Sequence, residues 1–457
     1  MTPAEHIFRQ YDIRGIVGDD LTEDVAEGVG RAYATLLRER TGVDGPEVVT
    51  GYDNRPSSPR LSEALVRGLT AGGARVVHVG TAPTPVVYWA EKTLGTDGCV
   101  QITGSHNPPE WNGIKMTVQG RAIYGDTITG LRDRIVSGDL ASGDGSVEER
   151  DVLDDYVADV TGRFEIARPV RVAVDCGNGT ASVVAVELLE ALGAEVTPLY
   201  CESDGTFPNH HPDPTVDENL AELVEEVKSS RCEVGIAFDG DGDRIGVLDE
   251  EGNVVRGDLL LLLFGLDLLD RKGEGQSLVF DVKCSQVLPE VFEKAGGHAV
   301  MWKTGHSLIK EKMVEVGAPL AGELSGHICV GGDLYLGFDD ALFDACLLLD
   351  LLARQERFLS ELVADFPAYV STPEIRIEVG EEAKWEIVRK AQEHFARERE
   401  VIDVDGARIQ FGDGWALLRS SNTQPVIVAR FEARTAERLA SIREEVEAWL
   451  RSEGVEL

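Results

Sequence analysis

"VVTGYDNRPSSPRLSEALVRGLTAGGARVVHVG", residues 48–80, reads as an apolar strand closing on Asp53, a loop, a helix, a glycine turn at Gly73 and a second apolar strand. The same order returns in "VRVAVDCGNGTASVVAVELLEALGAEVTPLY" (170–200) and "SLVFDVKCSQVLPEVFEKAGGHAVMWK" (277–303). From the strand-ending aspartate to the turn glycine the spacing is 20 residues for Asp53 to Gly73, 18 for Asp175 to Gly193 and 16 for Asp281 to Gly297. Each interval leaves room for one short helix. Strands alternating with helices predict parallel β-α-β units, which present ligands on the loops at the carboxyl ends of their strands. Three related mixed α/β domains are therefore expected.

A polar loop lies downstream of each unit: "ITGSHNPPEWNGIK", "IAFDGDGDRIG" and "LAGELSGHICVGG". The stretch "SGDLASGDGSVEERD" (137–151) is rich in Gly, Ser and Asp without an apolar period and reads as a linker. After Phe366 the pattern changes to strand, helix, short strands and a closing helix whose apolar face carries Leu439, Ile442, Val446, Trp449 and Leu450, a smaller α+β unit. The expected limits are 1–150, 151–252, 253–366 and 367–457.

The chain has 457 residues and a net charge of −37, which repels nucleic acid and anionic membranes at long range, so neither is expected as a partner. Its 11 lysines against 33 arginines on an acidic chain are the pattern expected where high salt screens self-repulsion. The longest apolar run, Leu259 to Phe264, falls far short of the ~18 residues of a membrane span and reads as a buried helix. No export signal is visible in "MTPAEHIFRQYDIRG", so a cytoplasmic location is expected. Seven scattered cysteines without a C-x-x-C pair argue against a disulfide framework and a zinc site.

"DGDGDR" (239–244) is the sharpest chemical signal. Three alternating carboxylates at close range repel by about 4 kcal/mol per pair at an effective dielectric of 20, so Asp239, Asp241 and Asp243 call for a cation. Oxygen-only ligands favour Mg2+, Mn2+ or Ca2+ over zinc. An EF-hand also places acids at these spacings, but Arg244 stands where that loop needs glycine, and "VGIAF" before it is a strand. A solvated acidic turn is the bland alternative. Arg244, directly after the acids, suits a phosphate.

Ser105 lies in "TGSHNPPEWNGIK", where most serines only shape a turn. A cation brought by the aspartate loop to a phosphate on Ser105, with Lys115 neutralising the transferring group, gives it a chemical role. A Ser-His-Asp hydrolase is disfavoured: there is no G-x-S-x-G elbow, and His106 is adjacent to the serine on a stiff loop. In "GELSGH", Glu323, Ser325 and His327 alternate, so an extended loop would aim all three at neighbouring sugar hydroxyls; a capped helix start reads almost as well. "RSSNTQP" (419–425) reads as a loop between strands, with Arg419, Ser421, Asn422 and Thr423 suited to a phosphate or simply to a turn.

These loops in this order, with "QYDIRG", "DVKCS" and "WKTGHSLIK", resemble the α-D-phosphohexomutase family over essentially the whole chain, most closely its phosphomannomutase/phosphoglucomutase branch. The resemblance implies three like domains and a C-terminal TATA-box-binding-protein-like α+β domain around a central cleft. It implies Ser105 as phosphoserine, and Asp239, Asp241 and Asp243 as Mg2+ ligands beside its phosphate, one ion per site. Arg244 becomes a substrate or phosphate contact, and Glu323 and Ser325 sugar-hydroxyl readers. Arg419, Ser421, Asn422 and Thr423 become a distal phosphate clamp. Arg14, Lys115, Lys283, His306 and His327 match cleft positions, with Lys115 and the histidines candidates for proton transfer.

The implied substrates are hexose phosphates, interconverted between 1- and 6-phosphate through a hexose 1,6-bisphosphate, in a monomer or small homo-oligomer. Phosphoglucosamine mutases more often carry a Ser-Gly-Thr-Glu-Pro terminal loop, where this chain has Asn422, Thr423 and Gln424. A binding protein for sugar phosphate or calcium that uses the same loops without turnover is the non-enzymatic alternative.

Overall fold

The structure, a computed structural model, describes residues 2–421 and 424–457. Asn422 and Thr423, both expected in the phosphate clamp, lie outside the described residues. The chain divides into two compact units, residues 1–260 with 325–362, and residues 261–324 with 363–457.

The first unit holds two mixed sheets. Glu47–Tyr52 pairs in parallel with Arg75–Thr81 and with Gly98–Ile102, as the first repeat predicts, while Trp111–Val118 and Ile13–Ile16 extend the sheet antiparallel. The helices Glu23–Thr41 and Ser58–Ala71 pack together beside it. Glycine makes that packing possible: a Cβ on Gly68 would lie 2.0 Å from the Glu27 carbonyl oxygen. In the second sheet Arg171–Asp175 pairs in parallel with Glu195–Leu199 and Val234–Phe238, and Ile245–Asp249 turns back antiparallel. Val254–Val255 adds to that edge, past the expected limit at 252.

The expected linker 137–151 is corrected in part. Ser146–Glu149 forms an edge strand parallel to Arg75–Thr81. Its side chains are exposed, so backbone pairing alone places it and no apolar period marks it.

The second unit holds the three parallel strands His298–Trp302, Ser277–Asp281 and Leu320–Gly322, and an antiparallel C-terminal sheet around Gly414–Ser420 and Val426–Ala433. The helices Ala383–Phe395 and Ala436–Ser452 cover that sheet, with Ile442, Val446, Trp449 and Leu450 buried as the apolar face predicts. Arg408, fully buried, donates to the carbonyls of Val282 (2.6 Å) and Cys284 (2.9 Å). The apolar run from Leu259 lies in the helix Gly257–Lys272, and Leu260 to Phe264 are buried. No helix among the described residues is long and apolar enough to cross a membrane.

Candidate active site

Each repeat's strand-ending aspartate is buried and organises the loop that follows. Asp53 accepts from the backbone N–H of Arg55 (3.1 Å), Asp175 from that of Gly177 (2.8 Å) and Asp281 from the Cys284 thiol (3.0 Å). Arg55, a residue that sequence reasoning did not single out, has the larger role. Its guanidinium pairs with Asp53 (3.0 Å) and donates to the carbonyls of Ser105 (2.7 Å), Asn107 (2.6 Å), Pro108 (2.6 Å) and Trp111 (3.2 Å). One buried cation thus fixes the course of the serine loop through its main chain. Its visible signal was an arginine two residues after the strand-ending aspartate, in "YDNRP".

Ser105 stands in the left-handed region, φ 49°, uncommon for a residue with a side chain. Its Oγ donates to Asp239 Oδ2 at 3.1 Å and lies 3.0 Å from His106 Nδ1. Arg14 reaches the same loop, donating to Asn107 Oδ1 at 2.8 Å.

The acidic loop follows the buried strand Val234–Phe238, and all three aspartates are fully buried. Asp239 Oδ1 accepts the backbone N–H groups of Gly242, Asp243 and Arg244 at 3.0 to 3.2 Å, which fixes that carboxylate. Lys115 Nζ donates to Asp241 Oδ2 (2.7 Å) and Asp243 Oδ2 (2.5 Å), and Thr84 Oγ1 also reaches Asp241 Oδ2 (2.5 Å). Burial alone would lower the Lys115 ammonium, but Asp241, Asp243 and Asp239 together raise it above its ordinary value. Burial would raise Asp241 in turn, yet Lys115 holds its carboxyl below the usual range. Asp239 is pushed well up by burial and by the charges of Asp241 and Asp243.

Lys115 does not exhaust the acids. Asp241 Oδ1 and Asp243 Oδ1 are buried without a hydrogen-bond partner among the described residues. Ligand atoms of Asp239, Asp241 and Asp243 lie within 4.8 Å of one another, so the trio can hold a metal ion. Hard carboxylate oxygens, two of them otherwise orphaned, fit a divalent cation of the Mg2+ type.

His327 completes this cluster. Arg244 Nε donates to its Nε2 at 2.9 Å, so Nδ1 carries the proton, facing Asp339 Oδ2 (3.1 Å) and the Asp243 carbonyl (3.1 Å). Asp339 was not singled out from sequence. It lies twelve residues past His327, and only the antiparallel pairing of Ile328–Val330 with Phe338–Asp339 brings it back.

The "GELSGH" expectation of an extended loop is corrected. The segment is a turn with Gly326 at φ 90°, where a Cβ would lie 2.4 Å from the Ile245 carbonyl, so strict alternation of Glu323, Ser325 and His327 does not hold. It is not a helix start either: it joins Leu320–Gly322 to Ile328–Val330.

In the second unit, buried Glu323 accepts from the Gly305 N–H (2.5 Å), one residue before the helix His306–Val316. Lys283 Nζ lies 2.7 Å from Glu374 Oε1 and 3.9 Å from Asp281 Oδ2. Burial opposes the charge on Lys283, but Glu374 and Asp281 raise it. Arg419 is the penultimate residue of Gly414–Ser420, and its Nε donates to Asp405 Oδ2 at 2.5 Å. Lys384, buried and unsuspected from sequence, donates to the carbonyls of Ser421 (2.7 Å) and Gln424 (3.0 Å), as Arg55 does for the serine loop.

Ser105, Lys115, the aspartate trio, Arg244 and His327 therefore meet in the first unit, with Arg14 reaching the serine loop from the strand Ile13–Ile16. Compared with known proteins, "Phosphoglucomutase/phosphomannomutase, alpha/beta/alpha domain I" matches residues 5–141, domain II matches 154–252, domain III 256–369 and the C-terminal domain 374–448. The chain is 47% identical to a phosphomannomutase/phosphoglucomutase of Pseudomonas aeruginosa over 96% of this chain and 94% of that protein. It is 41% identical to a phosphoglucomutase of Neisseria gonorrhoeae over 98% and 97%. A crystal structure of a phosphoglucomutase/phosphomannomutase family protein from Burkholderia thailandensis superposes with a TM-score of 0.91 at 42% identity, covering 98% of each chain. Three mixed α/β domains followed by an antiparallel α+β domain, built on these loops, make this chain a member of the phosphoglucomutase/phosphomannomutase family.

Proposed function

We propose that the protein is a phosphohexomutase that interconverts the 1- and 6-phosphates of mannose or glucose through a phosphorylated Ser105 and a hexose 1,6-bisphosphate. The observation that carries this reading is the Ser105 hydroxyl hydrogen-bonded to Asp239 inside an acid trio with two orphaned oxygens. The names of the relatives, which include both mannose and glucose activities, support the substrate class.

Asp239, Asp241 and Asp243, with the phosphate on Ser105, would hold one Mg2+, which when bound neutralises phosphate charge. Lys115, already donating to two carboxylates, adds positive charge beside the transferring group. The bond from phosphorus to Ser105 Oγ breaks as one forms to the sugar's free 1- or 6-oxygen, and the bisphosphate later returns its other phosphate to the serine. The sugar hydroxyl must lose a proton, and His327 is assigned to accept it at Nε2 once Arg244 leaves that nitrogen for the phosphate, with Asp339 fixing the tautomer. Arg244 binds phosphate beside it, and His306 is the second candidate for proton transfer. Glu323 and Ser325 read sugar hydroxyls, while Arg14 and Lys283 position substrate. Arg419 and Ser421, with Asn422 and Thr423, take the phosphate that is not being transferred.

Domain limits at 150, 252 and 366 belong to the same reading; the matched ranges 5–141 and 154–252 are compatible with the first two, while the third match runs past 366 to residue 369. So do a cytoplasmic location and a monomeric or small homo-oligomeric state.

Mass spectrometry of the purified protein should find phosphate on Ser105. Coupled assays on the 1-phosphates of mannose, glucose and glucosamine should show turnover of the first two, and Ser105→Ala should lose nearly all of it while remaining folded. Full turnover by Ser105→Ala would end the nucleophile assignment, and preference for glucosamine 1-phosphate would replace the sugar assignment.

A further inference from the structure

The proposed chemistry uses none of the seven cysteines, yet two of them meet. Cys176 follows the strand Arg171–Asp175 and Cys201 lies two residues beyond its parallel neighbour Glu195–Leu199, whose register sets Asp175 against Leu199. Their sulfurs stand 3.1 Å apart and both are free thiols. A disulfide needs about 2.05 Å, so about 1 Å of approach shared by two side chains closes it. Cys201 is partly exposed and Cys176 fully buried, the arrangement of an accessible first thiol with a sheltered resolving partner. The contact with Cys176 also holds the Cys201 thiol below its usual value.

Cys176 opens the turn that backs the acidic loop. Thr180 N donates to the Gly240 carbonyl at 2.9 Å, and a Cβ on Gly179 would lie 3.0 Å from Gly240 Cα. Gly177 (φ 51°), Asn178 (φ 56°) and Tyr200 (φ 50°) all occupy the left-handed region, and Asn178 N donates to the Tyr200 carbonyl at 2.8 Å. The turn therefore has little slack, and movement at Cys176 reaches Gly240, between Asp239 and Asp241.

We propose that Cys176 and Cys201 are a reversible dithiol–disulfide site, oxidised by hydrogen peroxide and reduced by small dithiols, whose oxidation displaces the Asp239–Asp243 loop. The Cys201 thiolate attacks one peroxide oxygen; the O–O bond breaks, the departing hydroxide takes a proton to become water, and the sulfur becomes a sulfenic acid. The Cys176 sulfur then attacks the sulfenic sulfur, the S–O bond breaks, and the hydroxyl leaves with the Cys176 proton as a second water. The two thiols together give up two electrons, both taken by the peroxide.

The test treats the purified full-length protein with hydrogen peroxide, counts thiols under denaturing conditions and maps peptides without reduction. Loss of two of the seven thiols and a cross-linked peptide pair containing Cys176 and Cys201, both reversed by dithiothreitol, are expected. Cys201→Ser should keep its remaining thiols under the same dose. Oxidation of Cys201 to sulfinic acid without a cross-link, or no loss of thiols, would overturn the assignment of the pair. Mutase turnover should fall with the cross-linked fraction and recover on reduction in the natural chain, and not respond to the dose in Cys201→Ser. Undiminished turnover in fully cross-linked protein would overturn the coupling to the acidic loop while leaving the disulfide standing.

Discussion

The Lys115 ammonium lies 2.7 Å from Asp241 Oδ2, with both side chains buried, and also reaches Asp243. Removing a single partner from such a set strands charge out of water. Lys115→Met should therefore destabilise chelator-treated protein by on the order of 3–5 kcal/mol, seen as a lower urea midpoint. Added Mg2+ should recover part of the loss. An unchanged midpoint would contradict the pairing.

Mg2+ itself should stabilise the natural chain, because the unfolded chain has no preformed acid trio. With ligand at about 100 times its dissociation constant the gain is about 2.7 kcal/mol, read as a rise in melting temperature. Asp241→Asn removes a ligand oxygen and should shrink that rise. A melting temperature indifferent to Mg2+ and to chelator would count against a metal at the trio.

Arg55→Lys keeps the positive charge but loses the fork that spans four carbonyls. The serine loop should loosen, and a misplacement of about 1 Å costs on the order of a hundredfold in turnover. KM should change less than kcat, since Arg55 would act only through the position of Ser105. Equal effects on both would instead mean that it contacts substrate.

Asp340 gives a pH signature. Its carboxylate caps the helix Ala341–Arg354 by accepting from Phe343 N (3.0 Å), and it accepts from the hydroxyls of Tyr156 (3.0 Å) and Tyr335 (2.7 Å). Burial outweighs these bonds and raises it from the ordinary 3.8 to about 6. The folded state then binds the proton more tightly than the unfolded chain. The resulting stability is fully present below about pH 3.8 and is lost as pH rises through about 6, about 3 kcal/mol in all. Asp340→Asn should flatten the stability profile across that window, measured as the difference between the two proteins' urea midpoints. Parallel profiles would place the Asp340 titration at an ordinary value.

The repeats were legible because strand, aspartate, helix and glycine turn repeat at nearly constant spacing, and local pattern suffices for β-α-β units. The gathering of Asp239, Asp241 and Asp243 was legible for a related reason: acids at alternate positions beside glycine demand a cation by charge alone, and Ser105 and Lys115 meet them in the fold. The supporting residues were not. Arg55 and Lys384 act across long stretches of chain on main-chain oxygens, and Asp339 meets a ring nitrogen only through a strand pairing twelve residues on, so no local period announces these partners. Ser146–Glu149 escaped because an exposed edge strand is placed by its backbone, and "GELSGH" misled because one left-handed glycine undoes the alternation an extended loop would have had.

Arg55 takes hold of peptide oxygens, which every residue type possesses. The guanidinium's hold on the segment around Ser105 therefore does not depend on the side chains at positions 106, 107 and 110, although Arg14 separately binds the Asn107 amide oxygen. Selection or design can vary the groups displayed at 106 and 110 while that grip on the main chain stays constant.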